Sequence, residues 1–387
     1  MSTEFCLDDW GLYVHIPFCQ ARCTYCDFNT VTHMGPDQHP QYMQAVTQQW
    51  MQATLPKGRL VSIFFGGGTP SLVDPPLIEK FLASVISRVG SLAGLEITLE
   101  SNPGTVDLDR LAAFKEAGVN RLSIGAQAMQ DHHLKALNRI HGVDDIYRAV
   151  DWAKSAGIEN FNLDAIYGLP GHTLTQWQET LRALVSLQPD HLSLYRLQVE
   201  AGTPLADGVK RGALLLPEED NVADMADWAA AILTPQGYQQ YEISNWAQPG
   251  RESLHNQLYW TFNSYLGLGA GAHSFHANRR WWTLRGVRRY MLAQAAGDSV
   301  IEGEETLSFD EQMREYMWLG LRRRSGVAKH RFQERFDRLS DEVFAKTLEH
   351  LQGLGLIVND ARTVRLSERG WDVANYVFRY FVADGIS

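Results

Sequence analysis

Three of the chain's four cysteines fall within eight positions, as Cys19-x3-Cys23-x2-Cys26 in the segment FCQARCTYCDF. Thiolates that close together on one loop can hold three irons of a cubane iron–sulfur cluster. The fourth iron then lacks a protein ligand, and an open metal position is where a substrate or cofactor binds. Zinc competes for such a set, but it takes four ligands and usually CxxC pairs; His15, just before the loop, is the nearest fourth donor. A disulfide framework would use an even set of cysteines spread along a secreted chain, which this is not. Cys6 reads as a lone free thiol.

A second chemical segment is Gly66-Gly67-Gly68-Thr69-Pro70. Without a Cβ, consecutive glycines let backbone N–H and C=O groups approach a ligand closely. The run is neither a P-loop nor GxGxxG, so it does not imply a phosphate.

Both segments follow predicted strands. The first two hundred residues alternate short β-rich runs with helical patterns, and strands are expected at Leu12–Ile16, Val61–Phe65, Glu96–Glu100, Arg121–Gly125, Phe161–Asp164 and His191–Tyr195. LDRLAAFKEAG and DDIYRAVDWAKSAG are apolar at i, i+3, i+4 and i+7 and stop at Gly118 and Gly157. Such alternation implies parallel strands joined by right-handed crossovers. All six strands run into Gly or polar residues (FCQARC, GGGTP, ESNP, GAQ, DAIYGLP, YRLQ). That is a ring of loops around one barrel mouth, in contrast to the single switch point of an open sheet. Six units do not close an eight-stranded barrel. The expected fold class is therefore α/β, a partial, open (β/α)6 TIM-like barrel over residues 1–240.

Beyond residue 205 the alternation fades. A helix is expected at 217–236 and an extra strand at Gln239–Ile243. A connecting region at 241–304 holds the aromatic, Gly-rich stretch HNQLYWTFNSYLGLGAGAHSF, whose GLGAGA reads as close-packed backbone. Helical patterns from 305, followed by a hairpin around Asn359-Asp360, suggest a small winged-helix-like C-terminal domain at 305–387. Winged helices often bind DNA, and Arg322–Arg324 form a short basic run. Yet 35 basic against 45 acidic residues leave a formal charge of -10, the wrong sign for neutralising phosphates. A structural or lid role is the expectation, with no nucleic-acid partner. The N-terminus shows no secretory signal, and there is no run of eighteen apolar residues. A reducing cytoplasm is the expected compartment, where clustered cysteines serve metal or redox chemistry.

Together the CxxxCxxC loop after strand one and GGGTP after strand two resemble the radical S-adenosylmethionine superfamily. LYVHIPFC, GGGTPS, ESNPG, NRLSIGAQ, LNRIHG and IYGLPG narrow the likeness to the branch of the oxygen-independent coproporphyrinogen III oxidase and its heme-chaperone relatives, over residues 10 to about 380. The resemblance implies that Cys19, Cys23 and Cys26 ligate a [4Fe–4S] cluster, that the methionyl group of S-adenosylmethionine chelates the unique iron, and that reductive cleavage yields a 5′-deoxyadenosyl radical. It implies contacts to that cofactor from Tyr13, Tyr25, Gly67, Gly68, Thr69, Glu100, Gln127, Arg139 and Asp164. Taken singly, Glu100 or Asp164 reads as readily as a helix cap or an ion-pair partner.

Three features divide the branch. The oxidase pattern continues to CxxxCxxCxC, where this chain has Phe28, and the oxidase carries an N-terminal extension, whereas this chain begins a dozen residues before Tyr13. The heme-chaperone subfamily bears HNxxYW, here His255-Asn256-Gln257-Leu258-Tyr259-Trp260. An imidazole can ligate heme iron axially while Tyr259 and Trp260 offer stacking surface. The alternative is a hydrogen-bonded corner that packs the C-terminal domain on the barrel; His273 is a rival ligand. The resemblance thus implies a chaperone that binds heme and transfers it to a heme-accepting protein, with an electron donor for the cluster. A membrane-bound acceptor is compatible with it, although this chain shows no transmembrane segment. The alternative is porphyrinogen oxidative decarboxylation in porphyrin biosynthesis. Whether the chain is an enzyme stays open at this point, as do its catalytic residues.

Overall fold

The computed structural model describes residues 5–382. Six parallel strands form its centre: β1 (Trp10–Ile16), β2 (Leu60–Gly67), β3 (Glu96–Ser101), β4 (Arg121–Gln127), β5 (Asn160–Tyr167) and β6 (His191–Arg196). Each coincides with an expected strand. WGLYVHI and RLSIGAQ are buried almost throughout, as parallel strands covered on both faces must be. The covering helices bury one stripe each. In Pro75–Val89 it is Ile78, Phe81, Leu82 and Val85, spaced to share a helix face. Gly118 and Gly157 adopt φ of +112° and +72°, the left-handed turn that ends two of these helices.

At one edge, β6 pairs antiparallel with β8 (Asn245–Ala247), which pairs with β7 (Gln239–Gln240). The extra strand expected at 239–243 is thus a short hairpin arm, and the expected helix before it runs over Glu219–Leu233. At the other edge the stretch read as a connecting region enters the sheet. β9 (Ser264–Leu268) lies parallel to β1, with Trp10 opposite Ser264 and Val14 opposite Leu268. β10 (His273–His276), β11 (Arg279–Thr283) and β12 (Ile301–Thr306) add antiparallel. Among the described residues twelve strands result, in the order β12-β11-β10-β9-β1-β2-β3-β4-β5-β6-β8-β7, with no pairing that closes the ring. β12 has no apolar alternation to reveal it: its residues are nearly all exposed, and its glutamates pair with arginines, Glu305 with Arg280 at 2.6 Å and Glu304 with Arg279.

After β12, helices at Phe309–Gly320, Lys329–Phe336 and Ala345–Gly353 precede a hairpin of β14 (Ile357–Asn359) and β15 (Thr363–Leu366). β13 (Val327–Ala328) completes this small sheet. The segment has its own apolar core, including Met317, Leu321, Phe332 and Leu351, which also takes in Phe262 and Phe275 from the main-sheet side. The Arg322–Arg324 run is engaged within the fold. Arg322 stacks 4.5 Å from the Trp260 ring, and Arg324 stacks 4.1 Å from Trp371 and pairs with Glu368 at 2.9 Å.

Candidate functional site

The C-terminal ends of β1–β6 surround a cavity of about 500 Å³. Cys19, Cys23 and Cys26 line it from the loop after β1. That loop is fastened at both ends: the Cys19 N–H donates to the Val31 carbonyl at 3.0 Å, and the Asn138 side-chain amide to the Arg22 carbonyl at 2.8 Å. Burial pushes the Cys19 thiol up to about 11 and raises Cys26 as well. Both are protonated at neutral pH, so ligation must expel protons. Among the described residues no three Cys, His, Asp or Glu side chains gather around one ion position. The zinc alternative also loses its fourth donor, because both His15 nitrogens are engaged, one with Tyr13 OH at 3.0 Å and the other with the Asn29 carbonyl at 2.8 Å.

The glycines of GGGTP press against the cysteine loop. A Cβ on Gly68 would lie 2.7 Å from the Phe18 carbonyl oxygen, and Gly67 has φ +116°. The Gly67 N–H donates to Glu100 Oε2 at 3.0 Å. Burial, with the neighbouring Asp164 charge, pushes the Glu100 carboxyl up to about 7. Thr69 does not line the cavity. It donates to Cys19 Sγ at 3.6 Å and accepts from the Asn102 amide at 2.9 Å. Asn102 accepts in turn from Arg139, which also donates to Cys23 Sγ at 3.3 Å and the Gly125 carbonyl at 2.9 Å. Arg139 Nε is buried without a partner among the described residues. Gln127 sits at a bulge in β4 with φ +67°, a backbone state that non-glycine residues hold mostly where surroundings enforce it.

Toward the barrel interior, Asp164 accepts from Ser123 at 3.2 Å and from the Asn162 amide at 2.8 Å, and burial raises its carboxyl. The Asn162 side-chain oxygen accepts from Ser193 at 3.1 Å and lies 2.7 Å from His191 Nδ1. Ser123, Asn162, His191, Ser193 and Asn102 were not among the sequence candidates. For the first four the signal is a polar residue at alternate, inward positions of otherwise apolar strands, whereas Asn102 follows the end of β3.

Tyr13, Tyr25, Gly67, Gly68, Glu100, Gln127, Arg139 and Asp164 all line this cavity with the cysteines, and so does His255. His255 lies on the helix Leu254–Trp260, whose first N–H groups donate to Glu96 at 3.1 Å. Its ring is buried, with Nδ1 2.9 Å from Ser62 Oγ and Nε2 2.9 Å from Tyr259 OH. Burial lowers it to about 3. A neutral imidazole with both nitrogens bonded is the hydrogen-bonded corner. Ligation of iron by His255 would require breaking one of those bonds. His273 is exposed on β10, its ring stacked on Trp282.

A family model of the radical SAM superfamily matches residues 13–184, and one of the HemN C-terminal domain matches 307–373. The heme chaperone HemW of Bacillus subtilis is 35% identical over 376 residues, covering 96% of this chain and 99% of its own. HemW of Escherichia coli is 42% identical over 68% of this chain and 69% of its own. The chain belongs to the HemW family. A mitochondrial radical S-adenosyl methionine domain-containing protein 1 from Bos taurus is also similar, 35% identical over 93% of this chain and 84% of its own. Among solved structures, the E. coli coproporphyrinogen III oxidase HemN shares the fold at TM-score 0.83 and 25% identity, over 97% of this chain and 90% of that one. Membership of the radical SAM superfamily implies a [4Fe–4S] cluster and S-adenosylmethionine. The site of this HemW-family chain fits them: three thiols on one loop, a glycine-walled shelf beside them, two half-buried carboxyls with raised affinity for protons, and an orphaned guanidinium N–H.

Proposed function

We propose that this protein is a heme chaperone, which binds heme and passes it to an acceptor protein under control of a [4Fe–4S] cluster and S-adenosylmethionine. The observation that carries this reading is the single cavity that brings the three cysteines together with Gly67, Glu100, Arg139 and Asp164. Cys19, Cys23 and Cys26 would hold three irons. When bound, the cluster supplies one-electron chemistry and an open iron for the amino and carboxylate groups of the ligand. Glu100 would take a cationic or hydroxyl donor of that ligand, Asp164 another, and Gln127 its polar groups. Arg139 holds the Cys23 sulfur and the Asn102 amide in place around it. Tyr13 and Tyr25 exclude water from the rim, where burial keeps both phenols protonated. Phe28, standing where the oxidase pattern has a further cysteine, and HNxxYW favour the chaperone over porphyrinogen oxidation. The overall likeness to HemN keeps the oxidase as the second reading. A reducing cytoplasm, an electron donor and a heme-accepting protein belong to the proposal. No helix among the described residues is long and apolar enough to cross a membrane.

Anaerobic reconstitution with iron and sulfide tests the cluster: absorbance should appear and be absent from a triple Cys→Ala variant. Hemin titration of the reconstituted protein, with and without S-adenosylmethionine, should then give a stable complex that loads an apo-acceptor. Coproporphyrinogen turnover without stable heme binding would sink the chaperone reading.

A further inference from the structure

A second cavity, of about 540 Å³, lies beside the first, and Tyr13, Asp27, Phe28 and Tyr259 line both. Its outer wall is the β10–β11 hairpin. There His273 stands directly opposite Trp282, with ring centroids 5.8 Å apart and planes at 25°. Cross-strand pairing fixes that stacking and turns the imidazole toward the space. The His273 ring makes no hydrogen bond among the described residues. Partial desolvation at the cavity wall and the nearby Arg280 and Arg285 charges outweigh Glu305 and hold it below the usual imidazole range, so it is neutral at pH 7 with a lone pair to offer. Phe28, on the opposite wall, is 62% exposed. That ring is thus open to a ligand in the space it lines. Arg285, also exposed, lines the same space and makes no ion pair among the described residues. Asp27, on the cluster loop, is the acidic group on that wall.

An imidazole, aromatic faces and a free guanidinium are what a flat iron porphyrin with carboxylate arms needs: an axial ligand, stacking area and a counter-charge. We propose that heme docks in this second cavity with His273 as its axial ligand, Trp282 and Phe28 against the macrocycle, and Arg285 on a propionate. The assignment rests on the heme-chaperone reading and specifies its site. It sets aside His255, whose nitrogens are both bonded within the fold. The shared wall places the cargo next to the cluster loop, so the occupant of one cavity touches residues that line the other.

The test is hemin titration of the full, cluster-reconstituted chain, followed at the Soret band, for the wild type, His273→Ala and His255→Ala. His273→Ala should lose the imidazole-ligated spectrum and weaken binding by about tenfold or more. It should keep its cluster absorbance and circular dichroism, and free imidazole should restore the spectrum. Arg285→Glu should weaken binding without changing the ligation spectrum. If the wild type binds no hemin, the chaperone reading itself fails. If the wild type binds and His273→Ala behaves identically, or if only His255→Ala loses the ligated spectrum while remaining folded, the chaperone reading survives and the His273 site is overturned.

Discussion

Arg139 shows how one side chain serves several parts of the site. Its planar fork donates to the Cys23 sulfur, the Asn102 amide and the Gly125 carbonyl, a geometry that a lysine ammonium cannot reproduce. Glu100 has the opposite character: a single backbone N–H opposes the burial that raises its carboxyl to about 7. The sign of its effect on pH follows. The folded state holds this proton where an unfolded chain would release it, so its contribution to stability is present at acid pH and lost as pH rises through about 7. A cationic ligand favours the ionised form, so affinity for S-adenosylmethionine should climb from about pH 6 and level off near about pH 8. Titrations of reconstituted protein across that range should show the climb for the wild type and a flat profile for Glu100→Gln. A climb that persists in the variant assigns the titration elsewhere.

Among the elements, the meeting of β1 and β2 matters most, because the cysteine loop and GGGTP leave the sheet side by side. The Gly68 N–H donates to the Ile16 carbonyl at 2.8 Å, and backbone atoms of Pro17 and Phe18 occupy the space a side chain would need. Backbone cannot swing aside as a flexible side chain can. Gly68→Ala should therefore displace the cysteine loop and lower iron incorporation, with far-UV circular dichroism unchanged. Gly353→Ala, in a helix with nothing within 4 Å, is the control and should be neutral or stabilising by up to about 1 kcal/mol. Normal iron content in Gly68→Ala would mean that the loop is not anchored there. The six parallel strands were legible because each is an apolar run of the right length ending in Gly or polar residues. The cysteines and strand-end polar residues were legible by spacing and type. β9–β12 were not, since a strand lying parallel to β1 across some 250 residues of chain leaves no local mark, and β12 is patterned by charge. The inner network of Ser123, Asn162 and His191 was missed for a related reason: only the side-by-side pairing of β4, β5 and β6 makes those positions one surface.

For the molecule as a whole, two apolar cores meet, and Phe262 and Phe275 join the smaller one from the main-sheet side. The C-terminal segment is thus continuous with the rest through packing as well as chain. Phe332 lies fully buried there, 4.8 Å from the Phe336 ring centroid. Phe332→Ala should cost about 3–5 kcal/mol, seen as a lower Tm, while cluster assembly at low temperature stays normal because Phe332 does not line the cysteine cavity. Loss of the cluster together with that core would instead show that the segment holds the barrel in shape.

An uncovered sheet rim is ordinarily an invitation to neighbours, because unpaired N–H and C=O groups accept any extended chain. One of the two edge strands is β12, the other being the two-residue β7, and Glu302, Glu304 and Glu305 stand along β12, the last two braced by Arg279 and Arg280. Two copies approaching rim to rim would bring carboxylates against carboxylates. The same residues that hide this strand from pattern recognition thus disfavour rim-to-rim pairing along β12.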